Sequence, residues 1–223
     1  MTTVLEHIEV ATRRYRALPI FVAFAEDRIP LARFTDFFRE QAMAARHFQD
    51  FIWASTAIDG DDELARFAKE HRRVDSGHYK WTAIDLARVG LSPMTVDDHF
   101  ALEMLPTRIQ LARILACFHD ADREARIVIL AALESAGAVT LGALHGYVVR
   151  HGLADRLLYL GDAHVRIEER QTHAITSVAA DVFARDDARL HAIVDVVFDA
   201  LERMFTDGGA RIYGIGPEVR HVA

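Results

Sequence analysis

Little in this chain staples, breaks or anchors it. One cysteine, Cys117, stands among 223 residues, so no internal disulfide can form and no second thiol is available to share a structural zinc. A lone thiol fits a cytoplasmic setting. No uninterrupted apolar run of about 18 residues occurs. Met1 to Pro19 carries Glu6, His7, Glu9, Arg13, Arg14 and Arg16 where a signal peptide would need an apolar core, so neither a signal peptide nor a membrane span is expected. Positive charge is in short supply as well, with 26 Lys and Arg against 33 Asp and Glu and a formal net charge of −7. That balance removes the electrostatic basis for binding a phosphate backbone, and nucleic acid is excluded as an expected partner. No segment alternates with period two for long enough to form a sheet.

What is present reads as helix. The five prolines and twelve glycines fall between long stretches in which apolar residues recur at three and four positions. The pattern predicts helices over about 4–17, 31–56, 62–89, 96–118, 123–151, 155–183 and 187–206. The third stops at Gly90 and the fifth at Gly152, while Pro106 is expected to kink the fourth. Gly208-Gly209 opens a tail over 207–223. Half the residues are apolar and 26% are charged, ordinary for a folded chain of this length. The expectation is an all-α, single-domain bundle of seven or eight helices covering 1–223.

On four of these helices the apolar stripe is interrupted by residues that resist burial. The second passes through Phe37, Glu40, Ala44, His47 and Phe51; the third through Phe67, His71, Asp75 and His78. The fifth passes through Leu130, Glu134 and Ala138, and the sixth through Leu160, His164, Glu168 and Gln171. Carboxylates gathered in a core raise one another's pKa and cannot all stay ionised uncompensated. Glu40, Asp75, Glu134 and Glu168 total −4, matching two divalent ions, and Asp75-x-x-His78 sets an acid and an imidazole one turn apart. Carboxylate-bridged di-iron bundles use a Glu from each of two helices and a Glu-x-x-His pair from each of the others. Here the second pair is Glu168-x-x-Gln171, and His164, four residues before Glu168 on the same face, stands in for the missing histidine. Carboxylate with imidazole suits iron or manganese.

Glu40 in its long helix, then Glu70-His71-Arg72-Arg73-Val74-Asp75-Ser76-Gly77-His78-Tyr79-Lys80-Trp81, then Ala132-Leu133-Glu134-Ser135-Ala136-Gly137 and Asp162-Ala163-His164-Val165-Arg166-Ile167-Glu168 resemble, in that order, the core helices of the haem-oxygenase-like dimetal oxidases and oxygenases. That family is related in fold to haem oxygenase and the thiaminase-like enzymes, and the likeness spans about 31–175. Two positions depart from its pattern: Gln171 replaces the final histidine, and Asp75 replaces the glutamate beside the Gly-His step. The resemblance implies a haem-oxygenase-like bundle holding two Fe(II), with manganese as the alternative metal. Its ligands would be Glu40, Asp75, His78, Glu134, His164 and Glu168, with His47 or His173 as candidates to complete the set. His47 follows Glu40 by two turns of the same face, and some relatives use a histidine there.

The implied activity is that of a non-haem oxidase or oxygenase. It would use dioxygen to desaturate, hydroxylate, cleave or N-oxygenate a small organic substrate, with an amino acid or amine of a biosynthetic pathway favoured. The rival readings are a cofactorless oxidase or thiaminase-like hydrolase on the same fold, and a ferritin-like metal-binding bundle. Arg108 and Arg113 are the nearest approach to a carboxylate clamp. His71 reads as a core histidine, His145 as structural or substrate-facing, Trp53 and Trp81 as core anchors, and Cys117 as a small buried hydrophobe. Homodimerisation is a base-rate expectation.

Overall fold

A computed structural model describes residues 1–215, and for 169–173 the backbone alone. Eleven α-helices and two 3-10 turns make up its regular structure, and no strand occurs among the described residues. The helices are α1 (Val4–Arg16), α2 (Pro19–Ala25), α3 (Leu31–Ser55), α4 (Glu63–Asp75), α5 (Tyr79–Arg88), α6 (Val96–Phe100), α7 (Leu105–Ala116), α8 (Arg123–Arg150), α9 (Asp162–Val178), α10 (Ala180–Phe183) and α11 (Ala188–Tyr213). Helix α8 runs through the middle, packed against α1, α2, α3, α9 and α11. It is long and apolar enough to cross a membrane by composition, yet 72% of its most apolar window is buried within the bundle. Aromatic rings fill the core beside it: Tyr15 meets Phe21, Phe198 and Phe205 edge to face, and Phe24 and Phe34 pack on Tyr147.

Helix starts follow local chemistry. Thr3 forms a reciprocal capping box with Glu6, and the carboxylates of Asp62 and Asp122 accept the N–H groups of Ala65 and Ala125, each satisfying an otherwise orphaned donor. Three departures from the predicted helices have identifiable causes. The helix expected over 62–89 breaks at Ser76-Gly77, where Gly77 adopts φ +97° and its N–H is taken by the Gln49 side-chain oxygen at 2.8 Å. Pro106 does not kink a long helix; it lies in the first turn of α7, where its missing N–H costs nothing. The 155–183 stretch divides into a 3-10 turn at Ala154–Arg156, an irregular segment, α9 and α10.

Gly208 and Gly209 do not end the last helix; they lie within α11, which stops at Gly214 in the left-handed conformation. Both are there for close approach. A Cβ on Gly208 would sit 2.7 Å from a Glu40 carboxylate oxygen, and one on Gly209 would sit 3.3 Å from the Ile20 Cβ. Trp53 is exposed, with Arg72 stacked over its ring at 5.1 Å, so it is not a core anchor. Cys117 is half-buried.

Glycine has two roles that substitution separates. Gly208→Ala should destabilise by about 1–3 kcal/mol, because the carboxylate it would strike is pinned by two other side chains. Gly142→Ala, on an exposed part of α8 where a Cβ meets nothing within 4 Å, should stabilise by about 0.5–1 kcal/mol. Urea unfolding of the two variants measures both.

Candidate metal centre

The break at Gly77 sorts the buried acids and histidines into two triads. His71 and Asp75 come from the last turns of α4 and Glu134 from the middle of α8: His71 Nε2 lies 2.8 Å from Asp75 Oδ2 and 3.1 Å from Glu134 Oε1. His78, just before α5, joins His164 and Glu168 of α9, with His164 Nε2 at 2.8 Å and His78 Nδ1 at 3.6 Å from Glu168 Oε1. Asp75 links the two, its other oxygen standing 3.9 Å from His78 Nδ1. All six line or back one cavity between α3, α8, α9 and α11.

Nearby groups fix the orientation of these side chains. His164 Nδ1 donates to the Tyr159 carbonyl at 2.7 Å, which directs Nε2 toward Glu168. That carbonyl is itself held in place, because the fully buried Asp85 carboxylate accepts the N–H groups of Leu158, Tyr159 and Leu160 at 2.7, 2.8 and 3.2 Å. Gly161 completes the turn, since a Cβ there would strike the Leu157 carbonyl at 2.1 Å. His78 stacks on Trp81 with ring centroids 4.4 Å apart. His145 bonds the Leu160 carbonyl at 2.9 Å, so its role is structural.

The electrostatics are those of charges out of water. Burial pushes the Glu134 carboxyl up, with the Glu168 charge adding to the rise against the pull of His71. Burial pushes His71 down, but the hydrogen bonds and charges of Asp75 and Glu134 outweigh it and raise it to about 10. His164 is likewise raised against its burial by Glu168, and Glu168 is lowered against its own burial by His164 and His78. Each acid is thus held by a histidine, which is the demand a buried carboxylate makes.

Glu40 stands apart from this cluster. It is buried beside Gly208, accepts a hydrogen bond from Thr107, and pairs with Arg211 at 2.7 Å. His47 is turned toward Asp50, at 3.5 Å, and His99; burial lowers its pKa, and it does not line the cavity. Gln171 and His173 fall among the side chains outside the described residues. Five of the seven anticipated ligands, Asp75, His78, Glu134, His164 and Glu168, are brought together, and His71 takes the sixth place. Sequence reasoning had assigned His71 to the core, although its spacing to Asp75 repeats that of His164 to Glu168.

The donor set suits divalent metal. Donors sharing an ion at about 2.0–2.2 Å stand roughly 2.8–3.5 Å apart, and the four closest nitrogen-to-oxygen separations are 2.8, 3.1, 2.8 and 3.6 Å. The imidazoles present nitrogen toward the acids, and the His164 ring is oriented from behind by a carbonyl, the usual arrangement for a ligating histidine. Comparison of the chain with protein-family models and with curated proteins returns no match.

Two outcomes follow for the protein without added metal. His71 has a folded pKa above its ordinary value, so its stabilisation is full below about pH 6.5 and is lost as pH rises through about 10. The stability gap between wild type and His71→Gln, read by urea titration, should therefore shrink over that window. Asp85→Ala leaves three buried N–H groups without an acceptor and should cost about 3 kcal/mol or more in the same measurement.

Proposed function

We propose that this chain is a non-haem dimetal oxidase or oxygenase with a haem-oxygenase-like bundle, acting on a small organic molecule. The observation that carries this reading is the pair of His-and-carboxylate triads, joined at Asp75, on the wall of a largely apolar cavity. His71, Asp75 and Glu134 would hold one divalent ion and His78, His164 and Glu168 the other. Iron is favoured and manganese compatible. When bound, such a pair supplies the one-electron and dioxygen chemistry that side chains lack.

The protein's own contribution is positional. Asp75 faces both triads and is the natural bridge between them. Asp85 and the Tyr159 carbonyl hold His164 with Nδ1 donating and Nε2 directed at Glu168, and Trp81 braces the His78 ring. The apolar wall excludes bulk water, which strengthens every interaction at the cluster. A storage bundle needs no such wall, which favours an enzyme over the ferritin-like alternative. The thiaminase-like alternative lacks a nucleophile in place, because Cys117 lies outside the cavity with its thiol directed at the Arg113 carbonyl.

Anaerobic titration with Fe(II) or Mn(II) should give two equivalents for the wild type, and one each for His71→Ala and His164→Ala. Glu40→Gln should keep two while lowering stability, because its carboxylate serves Arg211 and Thr107. Absence of stoichiometric binding in the wild type would overturn the reading. Oxygen uptake that outlasts metal oxidation once an accepted organic substrate is added separates enzyme from store.

A further inference from the structure

The cavity beside the cluster has a volume of about 90 Å³. Away from the acids and histidines its wall is largely apolar, with Phe51, Ile52, Leu133 and Phe205 among its residues, while Tyr79, Tyr159 and Thr140 bring hydroxyls to it. No lysine or arginine lines it among the described residues. The two arginines that could have clamped a carboxylate are engaged elsewhere: Arg108 with the carbonyls of His99 and Ala101, Arg113 with Gln110 and with Asp199 at 2.8 Å. In the protein without added metal, an amino acid would bring a carboxylate into a chamber that offers no lysine or arginine and already holds three acids, and burying an unpaired charge is strongly unfavourable.

Two side-chain amides break the apolar wall. Gln41 is 9% exposed and its amide meets the Tyr159 hydroxyl, yet its Oε1 is buried without a hydrogen-bond partner. Gln49 is held through its oxygen by the Gly77 N–H, and its Nε2 is likewise buried without a partner. Buried amide ends are rarely left unmatched, and both border the chamber. Space beside the cluster is secured by Gly137, one turn after Glu134 on α8, where a Cβ would meet nothing within 4 Å.

We propose that the chamber takes a neutral molecule with a hydrocarbon body and a single uncharged hydrogen-bonding group, an alcohol or an amide. Gln41 receives that group's donor, and Gly137 makes room for the hydrocarbon next to the cluster. The proposal builds on the dimetal reading, which supplies the reaction, but the chamber's selectivity belongs to the protein and is measurable without metal.

The test uses two probes of similar bulk, 1-hexanol and zwitterionic norleucine, in calorimetric titrations of the full chain with and without Mn(II). Wild type should bind 1-hexanol under both conditions and, without Mn(II), bind norleucine at least tenfold more weakly. Gly137→Leu should lower hexanol affinity at least tenfold by filling the chamber. Gly137→Ala should bind hexanol within a few-fold of wild type and melt higher, showing that the helix tolerates a side chain there. Gln41→Leu should lower hexanol affinity roughly threefold to tenfold. Norleucine binding as tight as hexanol without Mn(II), absence of hexanol binding, or hexanol binding undiminished in Gly137→Leu would each overturn the proposal. Hexanol binding without Mn(II) uptake would leave the chamber standing and remove the metal reading, so the two fail separately.

Discussion

Three carboxylates and three imidazoles are gathered within this bundle, all buried except the half-buried His78 and Glu168, and the need to keep them there governs its other irregularities. Removing an ion from water costs several kcal/mol unless a partner is placed within a few ångströms. Each acid here has a histidine at about 3 Å, and the His164 and His78 rings are oriented from behind by the Tyr159 carbonyl and by Trp81. The placement is made by departures from regular helix: α4 stops at Asp75, Gly77 turns the chain, and His78 is carried to the opposite triad. Had the helix run on unbroken, Asp75 and His78 would share one face and fall in one group. The break lets Asp75 stand between the two triads.

The helices whose ends are written in local chemistry were readable in the sequence. α1, α3 and α8 begin and end within a residue or two of the predicted limits, because apolar spacing and, for α1 and α8, an N-cap at Thr3 or Asp122 act over one turn. Glycine was harder to read, since the same residue type does three jobs. Gly77 breaks a helix, Gly214 ends one, and Gly208 and Gly209 sit inside one where Glu40 and Ile20 leave no room for a side chain. Which job applies depends on what lies across the bundle, and a sequence pattern carries no such information.

The same limit explains Glu40. It and Glu134 look alike in sequence, each a mid-helix acid on an apolar stripe. What distinguishes them is the facing group: Arg211 and Thr107 across from Glu40, His71 across from Glu134. His71, by contrast, was within reach of sequence reasoning. His71-x-x-x-Asp75 has the spacing of His164-x-x-x-Glu168, and the recurrence of that pair on two helices was a better guide to the clustered side chains than the charge count that favoured four carboxylates.

The charge count changes meaning once Glu40 is paired with Arg211. The cluster holds three acids, −3 with its histidines neutral, so on the dimetal reading two divalent ions leave it one positive charge in excess. An ammonium group near the cluster would meet repulsion. The remaining charge falls to whatever completes the coordination, while the substrate itself adjoins aromatic and aliphatic side chains that reward no charge at all. An excess of positive charge on one side and an uncharged wall on the other are compatible with a neutral substrate. A zwitterion fits less well, because only its carboxylate would be received at the cluster, while its ammonium would be repelled there and left unpaired along the wall. The pairing of Glu40 outside the site and the selectivity inferred for the chamber are in this sense one electrostatic arrangement.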